Sequence, residues 1–500
     1  MSAADGFSRR AVLAGGVALA AASSARAITI FSPEVLAPAG RIIGYWPDPT
    51  VPVAGYRGIR YARADRFRPP VAEPPSAEPI LAGVFGPASP QRGDVYLPQS
   101  EDCLFLNVWQ PKTRAEPRPV MVYIHGGAYS TGSVTDPAND GARLAHRGDV
   151  VVVTVNHRLN ALGYLYLPDR FPGSGNNGQL DLICALQWVQ RNIAAFGGDP
   201  GNVTVFGQSG GGAKIATLMA MPEAVGLFHK AITMSGQQVT ASGPLNATKR
   251  AEALQAELGE GIDPETAPVD RLVAALSATD PILGGGVYMG PVLDMVHLHR
   301  HPFWPDAPAQ SAHIPMLLGN TVMETRAFYA ADKPPIAGLE MNNLADRIAP
   351  QMRIDIEPNW VVGQFRARYP AAPPLELFHR IVTAARSWRG QVEEAEARAL
   401  SSAADRTWVY QLDFEDAKHT DDIALSFGTI PDPTPSQQAM SDTVMDSFVR
   451  FARTGNPGWA TYDLTSRNTM VFDTVSRVDS DPRQWERELF ARVPYIQPGS

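Results

Sequence analysis

Cysteine is nearly absent: the 500 residues hold only Cys103 and Cys184. Two thiols build no disulfide framework. Cys184 falls inside the helical pattern of Ala185-Leu186-Gln187-Trp188, so both are expected as free, buried small hydrophobes. Basic blocks are also missing. Lys and Arg number 43 against 51 Asp and Glu, a net charge of −8, which disfavours nucleic acid as a partner. No internal repeat or low-complexity block occurs, which argues against a repeat array. The N-terminal apolar run, residues 11–22, is shorter than the ~18 residues of a membrane-crossing helix, so no stable membrane anchor is expected. Glycine and proline, by contrast, are plentiful at 43 and 44, and scattered as many strand-to-helix turns require.

The apolar N-terminal run reads as an address. Arg9-Arg10 precedes it and Ala25-Arg26-Ala27 offers a small-residue cleavage site, the pattern of a twin-arginine signal peptide over 1–27. The expected location is periplasmic or secreted, in a bacterium. Twin-arginine export carries folded proteins, which suits a chain that needs no disulfides. Residues 28–500 then form one domain, because the chemistry-bearing segments are spread in a single order from 126 to 419.

The most informative segment is Val203-Thr204-Val205-Phe206-Gly207-Gln208-Ser209-Gly210-Gly211. β-formers lead into G-x-S-x-G, and Ala213-Lys214-Ile215-Ala216 continues with helical periodicity. Strand, sharp turn and helix are the context of a nucleophile elbow, which lifts Ser209 Oγ off the strand end. Glycine is needed where the chain passes too close for a Cβ. A serine alone is a poor nucleophile and needs partners. Upstream, Pro119–Ile124 reads as a buried strand followed by His125-Gly126-Gly127-Ala128, a loop suited to presenting backbone N–H groups to an oxyanion.

In folds with this elbow the triad runs serine, acid, histidine. Two histidines lie far enough downstream. His379 sits in an amphipathic helical pattern, where packing is its ordinary role. His419 lies in the polar loop after the strand-like Thr407–Phe414 and is the expected base. Many carboxylates fall between 209 and 419. Glu324 follows the short buried strand Ile314–Gly319, whereas Asp294 and Asp306 precede it and sit at its wrong end. His297, His299 and His301 would share one face of an extended strand and so are weighed as a zinc trio. No cysteine supports them, and hydrolysis by a triad needs no metal; neither metal nor cofactor is expected.

Several longer segments together resemble the type-B carboxylesterase family, which includes the cholinesterases. Glu101-Asp102-Cys103-Leu104-Phe105-Leu106-Asn107 resembles one of its signatures, and Leu186 through Ser209 resembles the run into the other. Tyr56–Ala62 with Arg66–Pro70, Val151–Gly163, and Asn176–Asp181 resemble further family segments, together spanning about residues 40 to 460. The resemblance implies an α/β-hydrolase fold, a mostly parallel sheet flanked by helices, with a helical insertion here placed at 335–400. It implies a serine carboxylesterase acting on a small-molecule ester through Ser209, Glu324 and His419. Gly127, Ala128 and Gly210 are the implied oxyanion donors, and Ser235 the implied support of the acid–base pair. Lipase or amidase chemistry would use the same triad. A non-catalytic binding protein of the cholinesterase-like kind is the reading from another class, but all three triad positions are filled. The chain departs from the family in three places. Gly210 stands where alanine is usual, a change that keeps the N–H. Gln208 stands where glutamate is common, which removes a charge and disfavours choline esters. Cys103 has no upstream cysteine to pair with.

Overall fold

The computed structural model describes residues 32–48, 50–112 and 117–497; the signal-peptide reading of 1–27 lies outside these residues. Its centre is one ten-stranded sheet. The strands are β1 (Val53–Arg60), β2 (Phe105–Pro111), β3 (Arg118–Ile124), β4 (Val151–Val155), β5 (Gly198–Gln208), β6 (Lys230–Met234), β7 (Met316–Thr321), β8 (Thr407–Leu412), β9 (Asn468–Phe472) and β10 (Arg477–Ser480). Their spatial order is β10-β9-β8-β7-β6-β5-β3-β4-β2-β1. From β9 to β4 every neighbour is parallel, and antiparallel pairs close the two edges.

The strand residues explain why both faces are covered. β3 and β4 are buried along their whole length, as a parallel strand under two helical layers must be. Alternation sorts their side chains. Val120, Val122 and Ile124 join one core with the helix α1 (Asn177–Asn192). Met121 and Tyr123 join the opposite core with the long helix over Pro435–Thr454.

The segment expected to be a helical insertion is helical: α3 (Leu344–Met352), α4 (Pro358–Arg368), α5 (Pro374–Val382) and α6 (Arg389–Ala399), with α2 being Gly210–Leu218 after β5. A π-helical turn, Thr383–Trp388, joins α5 to α6. The insertion has its own apolar core of Leu344, Ile348, Val361, Phe365, Leu377 and Ile381. Among the described residues no helix is long and apolar enough to cross a membrane.

The family-like segments hold one another. Arg158 forks onto Asp181 with Nη2–Oδ1 2.7 Å and Nε–Oδ2 2.9 Å, both side chains out of solvent. The same guanidinium donates to the carbonyls of Asp65 and Arg68. Arg66 in turn pairs with Glu101, and Asn107 spans from Gly58 N to Thr154 Oγ1. Cys103 and Cys184 are buried and unbridged, and burial pushes their thiols up to about 12 and about 11.

Candidate functional site

Chain order reverses between β3 and β5. After β3 the chain adds β4 on one side, then returns to place β5 on the other. In open α/β sheets that is where a crevice opens at the carboxyl ends of the strands. The register sets its contents side by side: Ile124 is level with Gly207, Gln208 with Met234, and Met234 with Gly319. His125, Ser209 and Ser235, the residues that next leave their strands, therefore stand in one row with Asn320 near the end of β7.

Ser209 has φ 54° and ψ −125°, outside the ordinary regions for a residue with a Cβ. The turn is tight because the chains around it nearly touch. A Cβ at Gly211 would lie 1.9 Å from the Ile124 carbonyl oxygen, and one at Gly210 would lie 2.0 Å from that of Ala128. Glycine at both places lets α2 start directly against the loop after β3. That loop carries Gly127 and Ala128 at φ 85° and 54°.

The acid and the base come from the next strand ends. Glu324 opens a short 3-10 turn after β7, and His419 follows β8. Backbone bonds tie the two loops together: Met323 N–H donates to Ala417 O at 2.9 Å, and Val322 N–H to Leu412 O at 2.9 Å. His419 Nδ1 meets Glu324 Oε2 in a short hydrogen bond. With Nδ1 protonated toward the carboxylate, Nε2 is left as a lone pair. Burial alone would raise the Glu324 carboxyl. The His419 charge, with bonds from His419, Ser235 Oγ and Thr321 N–H, outweighs it and holds the group below its ordinary value. Ser235 Oγ and Asn320 Nδ2 both donate to Glu324 Oε1. Ser209, Ser235, His419, Ala128 and Gly210 line one cavity of about 120 Å³.

The other sequence candidates have separate work. His379 packs under Thr325, its Nδ1 3.1 Å from Thr325 Oγ1, and burial pushes it down to about 4. Asp294 accepts from the N–H groups of Val296, His297 and Leu298, and Asp306 pairs with Arg300. The histidine trio does not share a face, because residues 296–301 bend instead of extending. His297 turns to Glu223, His299 to Val296 O, and His301 accepts from Ala241 N–H.

Gln208 lies at the base. It is buried, with its amide nitrogen 3.3 Å from His419 Nε2, so a neutral side chain stands where a carboxylate would face the histidine. Lys214 and Asp422 are among the groups missed. Lys214, one turn into α2, is wholly buried. Its Nζ donates to Ala128 O at 2.6 Å and Gly210 O at 3.3 Å, and lies 4.8 Å from the Tyr129 ring centre. Burial pushes it down to about 7. A lysine in a helical pattern gives no local sign of being inside. Asp422 lies behind Glu324 and takes a bond from Tyr410 OH at 3.3 Å. Burial first, then the Glu324 charge, push it up to about 7, so in mildly acidic solution it adds no second negative charge there. Only its place in the polar loop after His419 marked it.

A mostly parallel sheet with this strand order, and a positive-φ serine lifted where β5 gives way to α2, is an α/β-hydrolase. The carboxylesterase family model matches residues 32–487. Para-nitrobenzyl esterase of Bacillus subtilis is 33% identical over 485 residues, covering 87% of this chain and 94% of that protein. A probable N-octanoylanthranilate hydrolase of Rhodococcus erythropolis is 36% identical over 360 residues, 67% of this chain and 76% of its own length. Among solved structures, a carboxylesterase of Geobacillus stearothermophilus superposes with a TM-score of 0.80 at 32% identity, covering 91% of this chain and 99% of that one. The chain belongs to the carboxylesterase family and is a carboxylic ester hydrolase.

Proposed function

We propose that the chain hydrolyses carboxylic esters through an acyl-enzyme on Ser209. His419 Nε2 takes the Ser209 proton as Oγ attacks the carbonyl carbon. The N–H groups of Gly127, Ala128 and Gly210 receive the oxyanion, a set in which one lost donor costs roughly 2.7–4 kcal/mol of barrier. The tetrahedral intermediate collapses with the proton passing from His419 to the leaving alcohol. Water, deprotonated by the same histidine, then releases the acid. Glu324 keeps Nδ1 protonated and stabilises the imidazolium without taking the proton. The observation that carries this reading is the buried Glu324–His419 hydrogen bond opening on the cavity that holds Ser209.

The test is kinetic. Ser209→Ala and His419→Ala should each lower kcat by about 10⁴-fold or more, and the double variant should be little worse than either, because the groups act as a unit. Losses that multiply in the double variant would show that the two residues act independently and would overturn the triad.

We infer that residues 1–27 direct twin-arginine export, so that the enzyme works in the periplasm or outside the cell. Arg9-Arg10 and Ala25-Arg26-Ala27 support this reading. Lysine at both 9 and 10 should trap unprocessed chain in the cytoplasm. Normal processing of that variant would count against it.

A further inference from the structure

The cavity that holds Ser209 and His419 has no Asp or Glu among its lining residues, yet Arg386 reaches into it beside Tyr288 and Phe328. Arg386 stands on the π-helical turn Thr383–Trp388. Such a widened turn is rare, and it recurs at functional sites because it re-aims a side chain that a regular helix would direct elsewhere. Its Nη1 donates to Tyr329 OH at 3.2 Å, and its guanidinium carbon lies 5.8 Å from the centre of the Phe328 ring. Phe328 in turn stands edge-on to His419, with ring centres 4.7 Å apart. The guanidinium is thus placed one aromatic ring away from the base.

A second guanidinium stands behind it. Arg353, at φ 54° just past α3, is half-buried among Tyr288, Tyr329 and Arg386. Burial first, then the Arg386 charge, lower it from the ordinary arginine value. Among the described residues neither arginine forms an ion pair. Elsewhere Arg66, Arg158, Arg250 and Arg487 pair with carboxylates, and the buried Arg398 is held by Thr407 Oγ1 and the Ile314 carbonyl. Two like charges that act on each other in a partly dry pocket repel, and a bound anion relieves that repulsion. Guanidinium is suited to that anion being a planar carboxylate, which it meets through two parallel N–H bonds.

We propose that Arg386 and Arg353 form an anion subsite of the Ser209 cavity, and that the preferred substrate is an ester bearing a free carboxylate away from the scissile bond. This rests on the acyl-enzyme reading above and adds the substrate's charge. The carboxylate enters with the ester, takes its hydrogen bonds from Arg386 and neutralises the pair. The same contact orients the scissile carbonyl toward Ser209.

The experiment uses two pairs of esters, each differing only in a methyl cap. The 4-nitrophenyl monoester of adipic acid and its methyl-capped diester place the carboxylate on the acyl side. The butyrate ester of 4-hydroxybenzoic acid and that of its methyl ester place it on the alcohol side. In one arm the free carboxylate should raise kcat/KM about tenfold or more over the capped ester, and added salt should shrink the ratio. Arg386→Gln and Arg353→Gln should each bring that ratio toward one, and Arg386→Lys should restore part of it. The readout is a ratio within one protein, so partial misfolding or a general loss of turnover cancels. Capped esters favoured or equal in both arms, with neutral esters still turned over, overturn the subsite and leave the esterase reading intact. No turnover of any ester by the native chain would overturn both.

Discussion

At the carboxyl edge of the sheet the groups that matter are backbone atoms, or side chains within a few residues of a strand end. In the helical insertion over 335–400 they are long side chains on helices. The edge is rigid because it is shared. Ser209, Ser235 and the loop after β3 are aligned by strand register, and Gly210 and Gly211 let backbones approach where any Cβ would collide. The insertion instead packs through a core of its own and meets the site through Arg386 and Ser387. One region aligns the residues that the proposed chemistry uses. The other sets what is held in front of it, and can change its side chains without disturbing the sheet.

If the edge is rigid because its family-like segments interlock, breaking one lock far from the cavity should cost stability first. Asp181→Ala leaves Arg158 buried without its carboxylate, where loss of one partner costs about 3–5 kcal/mol. A fall of that size is expected in the urea unfolding free energy, the largest stability effect of the substitutions considered. A loss below about 1 kcal/mol would mean that the Arg158 fork does not anchor this side of the sheet. Replacing both partners by apolar residues of matching volume should restore much of the loss, since an empty buried pair costs little beyond its packing.

The same contrast decides what the sequence made legible. The elbow is a short string in which sterics leave few residue choices, so Gly207 through Gly211 could be read directly. His419 was legible because a polar loop just past an apolar strand is a strong contrast. Glu324 stood out among the many carboxylates between 209 and 419 only by its place just past the strand Ile314–Gly319; the resemblance pointed to the same residue, and the hydrogen bond to His419 agrees. The neutrality of Gln208 was legible from its place before the serine, but its contact with His419 was not, because the two meet only across strand ends in the folded chain. Arg386 left no trace, because a π turn spans residues whose pattern continues the helices on either side. Lys214 left none either. Its burial depends on the Ala128 and Gly210 carbonyls, which come within its reach only in the folded chain.

Lys214 offers the finest test of how the edge is held. Its Nζ bonds the carbonyls of Ala128 and Gly210, two of the three residues whose N–H groups are proposed to face the oxyanion. Ala128 sits at φ 54°, which costs a residue with a Cβ about 1–2 kcal/mol, and a bond to its carbonyl helps to hold it there. Lys214→Met keeps the apolar stem and removes both bonds, at about 1–2 kcal/mol, so kcat should fall several-fold to about thirtyfold. The pH dependence of stability separates this from a mere packing defect. Lys214 stands at about 7 when folded against an ordinary 10.5. Below 7 both states hold the proton, and the cost of burying the charge is fully present. Between 7 and 10.5 the unfolded chain binds more protons than the folded one, so raising the pH stabilises the fold. Above 10.5 the cost is gone. The native enzyme should therefore gain unfolding free energy from pH 7 toward pH 10, and Lys214→Met should lose that gain, becoming the less stable of the two as pH rises. Parallel pH–stability curves for the two proteins would show that Lys214 titrates as an ordinary lysine, and that the loop after β3 is held by its glycines and strand register alone.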